Sequence, residues 1–215
     1  FQDYGVWTNQ MPLSFLIPGY IQKWFGAGLP TARYFMIVLA MFTLLGLWIL
    51  ARRWGGRWWA AGIVWAMALN HAEIKVLSLS ISEGPVALMV VWSLVFTLGV
   101  NRPRWQLWAG ASLASLLILT RVNLAFLLPL LLLYLWWEYG FRKAFWAGVA
   151  ALIVLVVGHA FFWPGILKFW ASWLPPSLTP FLDPWRFTIS DALRGKSVVE
   201  VEPVTPFTIF LYTWM

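Results

Sequence analysis

Long apolar runs, broken at short polar gaps, organise residues 33–163. Residues 1–10 are polar and are predicted to lie outside a bilayer. Residues 11–29 interrupt their apolar groups with Gln22, Lys23, prolines and glycines. That pattern is too broken to span and suits a helix lying in the membrane interface. A first span is predicted over 33–51, a Gly55-Gly56 turn over 52–57, and a second span to about residue 72. A polar stretch, 70–83, leads to a third span over 85–100. Pro103 marks the next turn. Two further spans, 105–119 and 122–137, meet at Thr120-Arg121. Each is shorter than the roughly 20 residues that cross a bilayer comfortably, which sets Arg121 near one interface. A sixth span covers 144–163. A long loop with seven prolines between Pro164 and Pro206 follows, and a seventh span begins near Pro206. The expected fold is all-α: one polytopic transmembrane domain with about six full spans, an interfacial helix and the start of a seventh span.

Charge sorts with these gaps. The gaps after the first, third and fifth spans hold Arg52, Arg53, Arg57, Arg102, Arg104, Glu138, Arg142 and Lys143, a net charge of +6. All other charges together come to +1, within a chain total of +7. Positive-inside sorting makes the first set cytoplasmic. Asp3, Lys75, Glu83, Arg121 and the proline-rich loop then share the outer side.

The composition is 61% hydrophobic and only 11% charged, with mean hydropathy +0.76, against roughly 25% charged in a soluble domain. An integral membrane protein is expected. The pI near 10.1 does not imply nucleic-acid binding, because the basic residues sit in short loops beside apolar runs. With no cysteine, disulfides, iron–sulfur clusters and thiolate zinc sites are excluded. Many of the 18 tryptophans fall at span ends, as in an aromatic belt, while Trp7, Trp170, Trp173 and Trp185 in outer loops are better placed for ligand contact. The chain opens on Phe1 and stops at Met215, a few residues into an apolar run, as expected of a piece of a longer protein.

Few residues can carry chemistry. Asp3, beside the interfacial helix, is either a solvated acid or a general base at the membrane surface. Glu83, in Ser82-Glu83-Gly84-Pro85, is an acid at the mouth of a membrane helix. Such a group is paired, hydrated or functional, or it favours its own helix N-terminus behind a Ser82 cap. Arg121, flanked by leucine-rich runs, needs a carboxylate, carbonyls or a lipid phosphate, or it snorkels to the interface. Lys75 is either a solvated loop charge or a second support for the same anion. His71 and His159 lack ligand spacing, and no acid cluster has metal-site spacing, so no metal site is expected. The sequence requires no cofactor and is compatible with a divalent cation.

The order of these pieces resembles the polyprenyl-phosphate-sugar-dependent membrane glycosyltransferases of the GT-C fold, family 39, related to protein mannosyltransferases and aminoarabinose transferases. The resemblance rests on Asp3-Tyr4-Gly5, Gln10-Met11-Pro12-Leu13, Leu50-Ala51-Arg52-Arg53-Trp54-Gly55-Gly56, Ser82-Glu83-Gly84-Pro85 and Leu119-Thr120-Arg121, in that order. Tyr4 stands where many members have a second acid, and Ser78 and Ser80 where a basic residue is frequent. The resemblance implies inverting sugar transfer from a polyprenyl-phosphate donor to an acceptor on the outer face of a bacterial cytoplasmic membrane. Asp3 would be the base, and Glu83 would orient the acceptor or sugar, or hold a cation. Arg121 and Lys75 would neutralise the departing phosphate, with Tyr4 and Trp7 at the substrate. Implied partners are the lipid-linked donor, membrane lipids and other membrane proteins, and no nucleic acid. A non-catalytic scaffold subunit of the same fold is the rival expectation, and a transporter using Glu83 and Arg121 is the third.

Overall fold

A computed structural model describes residues 11–70 and 83–161. Every regular element among them is helical: α1 (Leu13–Phe25), α2 (Leu29–Leu69), α3 (Glu83–Thr97), α4 (Arg104–Thr120), a 3-10 turn (Val122–Leu124), α5 (Leu127–Tyr139) and α6 (Phe141–Phe161). The all-α expectation holds in that form. The chain divides into two compact units, one of residues 1–9 with 159–215 and one of residues 10–158. The second unit carries all the packing described below. The long outer loop and the seventh span lie outside the described residues.

Helix ends fall close to the gaps in the hydrophobic pattern, with one difference in kind. The first two predicted spans form a single 41-residue element, α2, that breaks at Gly56 (φ 75°, ψ −175°). Only glycine adopts such backbone readily, so the helix is broken there by a kink without a separate loop. Three helices among the described residues are long and apolar enough to cross a membrane: Leu29–Leu69, Val122–Tyr139 and Phe141–Phe161. That is fewer than the six spans expected. The reason is length: α3 has 15 residues, and α4, which opens on Arg104 and Gln106, has 17. At about 1.5 Å per residue these rise about 22 and 26 Å, less than the hydrocarbon thickness of roughly 30 Å.

Side-chain pairs fix the directions. Gly84 meets Met36, Gly46 meets Val91, and Trp92 Nε1 donates to the Phe42 carbonyl at 3.1 Å. The first limb of α2, residues 29–55, therefore runs parallel to α3. Leu50, Val91 and Val95 form a shared apolar core between them. Helix α4 runs antiparallel to α3, because Gly110 sits on Ser93 and Thr97 while Thr120 reaches Met89. A β-carbon at Gly110 would stand 2.9 Å from the Ser93 carbonyl oxygen and 2.5 Å from Thr97 Cγ2, so the α3–α4 approach depends on its absence. Small residues at such crossings let helix backbones pack closely in apolar surroundings. Gly148 lies against Leu132 and Gly158 against Leu119, which sets α6 antiparallel to α5 and parallel to α4. The Met11-Pro12 segment is fully buried, and α1 lies against α2 and α4.

The result is a bundle with two distinct ends. One carries Arg52, Arg53 and Arg57 around Gly56, then Arg102, Arg104, Glu138, Arg142 and Lys143. The sequence gaps of net +6 thus gather at one end. Trp54, Trp58, Trp59, Trp105, Trp136 and Trp137 are exposed beside them, the arrangement of an interfacial belt. The other end holds Glu83 and Arg121. Between the ends, large apolar side chains of α2, α5 and α6 face outward, as lipid-facing surfaces do.

Candidate functional site

At the Glu83 end, two helix termini meet. Glu83 is the first residue of α3, where a carboxylate complements the positive end of the helix dipole. Gly84 and Pro85 behind it are buried, and Pro85 in the first turn loses no hydrogen bond the helix needs. Arg121 caps the C-terminus of α4 in extended backbone (φ −145°, ψ 109°), its N–H donating to the Leu117 carbonyl at 2.6 Å. A cation is favoured there for the converse reason. Because α3 and α4 are antiparallel, the two charges come together: Arg121 Nη1 lies 3.1 Å from Glu83 Oε1. The pair is half-buried, 30% and 27% exposed. Thr120, one residue earlier, donates to the Leu116 carbonyl at 2.8 Å and lies 3.8 Å from Met89 Sδ.

Met89 also lines an apolar groove of about 300 Å³ on the flank of the bundle, with Phe42, Leu88, Trp92, Phe96 and Leu113. Glu83 and Met89 lie six residues apart on α3, a rise of about 9 Å. A charged pair at the rim and an apolar groove below it therefore share one helix.

The structure brings two of the predicted site residues together, Glu83 and Arg121. Asp3, Tyr4, Trp7 and Lys75 lie outside the described residues, as does His71. His159 stands in the last turn of α6. Among the described residues no group of three His, Cys, Asp or Glu side chains is placed to hold a metal.

The opposite end contains a network that the sequence pattern did not reveal. The C-terminal carbonyls of α3 lack helical partners. Arg53 Nη1 donates to the Val95 carbonyl at 2.6 Å and the Leu98 carbonyl at 3.3 Å. Arg102 donates to the Leu98 carbonyl through Nε at 3.1 Å and Nη2 at 3.0 Å. Tyr139 Oη donates to the Thr97 carbonyl at 2.9 Å and also contacts the Gly99 carbonyl. Two guanidiniums and a phenol thus clasp one helix terminus. Read as sequence, Arg53 and Arg102 were topology signals only. The one local signal was Arg102 standing four residues after Leu98; Arg53 and Tyr139 come from distant helices and leave none.

Compared with known protein families, curated proteins and solved structures, the chain matches none.

Proposed function

We propose that this chain is the membrane-embedded part of a glycosyltransferase that moves a sugar from a polyprenyl-phosphate donor to an acceptor on the outer face, with inversion. The observation that carries the reading is the half-exposed Glu83–Arg121 pair at a bundle rim, above an apolar groove on the same helix. An amphiphile with a phosphate head and an isoprenoid tail matches that combination. The sorting of basic residues to the opposite end supports an outward-facing site. With the short helices α3 and α4 and the two limbs of α2 counted as crossings, the proposal has six spans in a bacterial cytoplasmic membrane.

Arg121 presents five N–H donors, of which the Glu83 contact occupies one edge. The rest can take phosphate oxygens with bidentate geometry. In the proposed reaction the acceptor oxygen attacks the anomeric carbon from the face opposite the phosphate. A new C–O bond forms while the anomeric carbon–phosphate oxygen bond breaks, and its electron pair leaves on polyprenyl phosphate. The acceptor proton passes to Asp3. Arg121, joined by Lys75, neutralises the charge that grows on the phosphate, and Glu83 holds Arg121 in register while orienting the acceptor or sugar. Tyr4 and Trp7 belong with the substrate in this scheme. The roles of Asp3, Tyr4, Trp7 and Lys75 rest on the motif resemblance.

The test uses the intact protein in lipid vesicles, with polyprenyl-phosphate-linked sugars as donors and release of polyprenyl phosphate as readout. Turnover in the wild type and loss of it in Asp3→Asn are expected. Full activity in Asp3→Asn eliminates Asp3 as the base. The second reading is a non-catalytic scaffold. It is favoured by one feature of the same pair: Glu83 and Arg121 sit at complementary helix ends and neutralise each other without a ligand.

A further inference from the structure

A second groove, on the flank of α2, lies outside the transfer scheme. It measures about 310 Å³ and is lined by Leu29, Pro30, Arg33, Tyr34 and Ile37. Leu29, Tyr34 and Ile37 are exposed there, and Arg33 is exposed with them. Among the described residues the ion pair formed is Arg121–Glu83, and no described carboxylate lies within 4 Å of the Arg33 guanidinium.

Depth along α2 says what meets this guanidinium. Residues 34–51 contain no charged side chain. The twenty-residue step from Arg33 to Arg53 rises about 30 Å, the thickness of a bilayer's hydrocarbon core. Arg53 stands at the basic, tryptophan-flanked end, so Arg33 falls at the opposite headgroup level. The last turn of α1, just before α2, carries exposed Trp24 and Phe25 beside Lys23, side chains suited to that same level. Side chains on a helix lean toward its N-terminus, which carries the Arg33 head outward to the interface. Tyr34 and Ile37 extend the groove on the bilayer side of Arg33, and Leu29 and Pro30 on the other.

We infer that this groove holds an anionic diacylphospholipid, its phosphate on Arg33 and the upper part of one acyl chain along Tyr34 and Ile37. The guanidinium fits phosphate oxygens in a fork. An exposed guanidinium with no described carboxylate within 4 Å favours a lipid whose headgroup is net negative over one whose own cation cancels the phosphate. The inference uses neither Asp3 nor the Glu83–Arg121 pair, so it stands or falls apart from sugar transfer.

Native mass spectrometry of the full chain, released from vesicles of phosphatidylcholine mixed with phosphatidylglycerol, tests it. The wild type retains phosphatidylglycerol in preference to phosphatidylcholine. Arg33→Gln lowers that preference about fivefold, the weight of one arginine near a charged membrane surface. Arg33→Lys keeps part of it, which separates lost charge from lost folding. Ile37→Trp, which fills the groove, lowers retention of both lipids. Equal retention of the two lipids by the wild type overturns the inference, as does an Arg33→Gln protein with unchanged preference. Displacement by excess inorganic phosphate overturns the role of the chain groove. Displacement by equimolar polyprenyl phosphate overturns the choice of a diacyl lipid.

Discussion

Arginine does opposite work at the two ends of this bundle. At the basic end, Arg53 and Arg102 point their donors at backbone carbonyls of the last turn of α3 and of Leu98 just after it, and Tyr139 joins them. Those acceptors are fixed by the backbone at the helix terminus and have no helical partner of their own. At the other end, Arg121 meets a side-chain carboxylate, Glu83, in a half-exposed pair. A carboxylate can rotate away, and a second anion can share the guanidinium. The first arrangement stabilises a helix terminus; the second can be exchanged for a ligand at little cost. Residue type is alike at the two ends, so the partner decides the role.

The sharpest way to break this comparison is at the clasp. Arg53→Ala removes donors to the Val95 and Leu98 carbonyls and is expected to destabilise the protein by about 2 kcal/mol, with Tyr139→Phe costing about 1 kcal/mol. Thermal unfolding in detergent reads both. Ligand binding per folded molecule should be unchanged in each. A clasp variant that unfolds like the wild type would remove the structural role assigned to this end.

Glu83→Gln should have a smaller effect on stability, under about 1 kcal/mol, because an exposed or half-exposed pair is weak and screened by solvent. Its unfolding midpoint should also lose whatever salt dependence the pair contributes. A loss as large as that of Arg53→Ala would make the Glu83–Arg121 pair a structural element and favour the scaffold reading.

Helix existence and approximate bounds were legible in the hydrophobic pattern, since each polar gap from Asn70 to Arg142 coincides with a helix end. The Gly56 break was legible as well, because Gly55-Gly56 stands between two apolar runs. The number of crossings was less so. Hydrophobicity marks apolar runs, but span length depends on where the helix begins and ends, and α3 and α4 stop short. For the site, Glu83 and Arg121 were singled out as charges that needed partners. That they partner each other follows from the antiparallel approach of α3 and α4, which depends on contacts such as Gly110 on Ser93. The Arg53–Tyr139 clasp was illegible for the same reason: its donors stand 42 residues from their α3 acceptors on either side, and no local pattern links them.

The most direct test of the central claim, that the Glu83–Arg121 end is the working end, is the transfer rate of Arg121→Gln in the intact protein in vesicles, measured beside its thermal unfolding. The proposed role predicts a fall of about a hundredfold or more, the usual effect of removing a group that stabilises developing negative charge, with unfolding close to wild type. An Arg121→Gln protein that transfers sugar at the wild-type rate would contradict it.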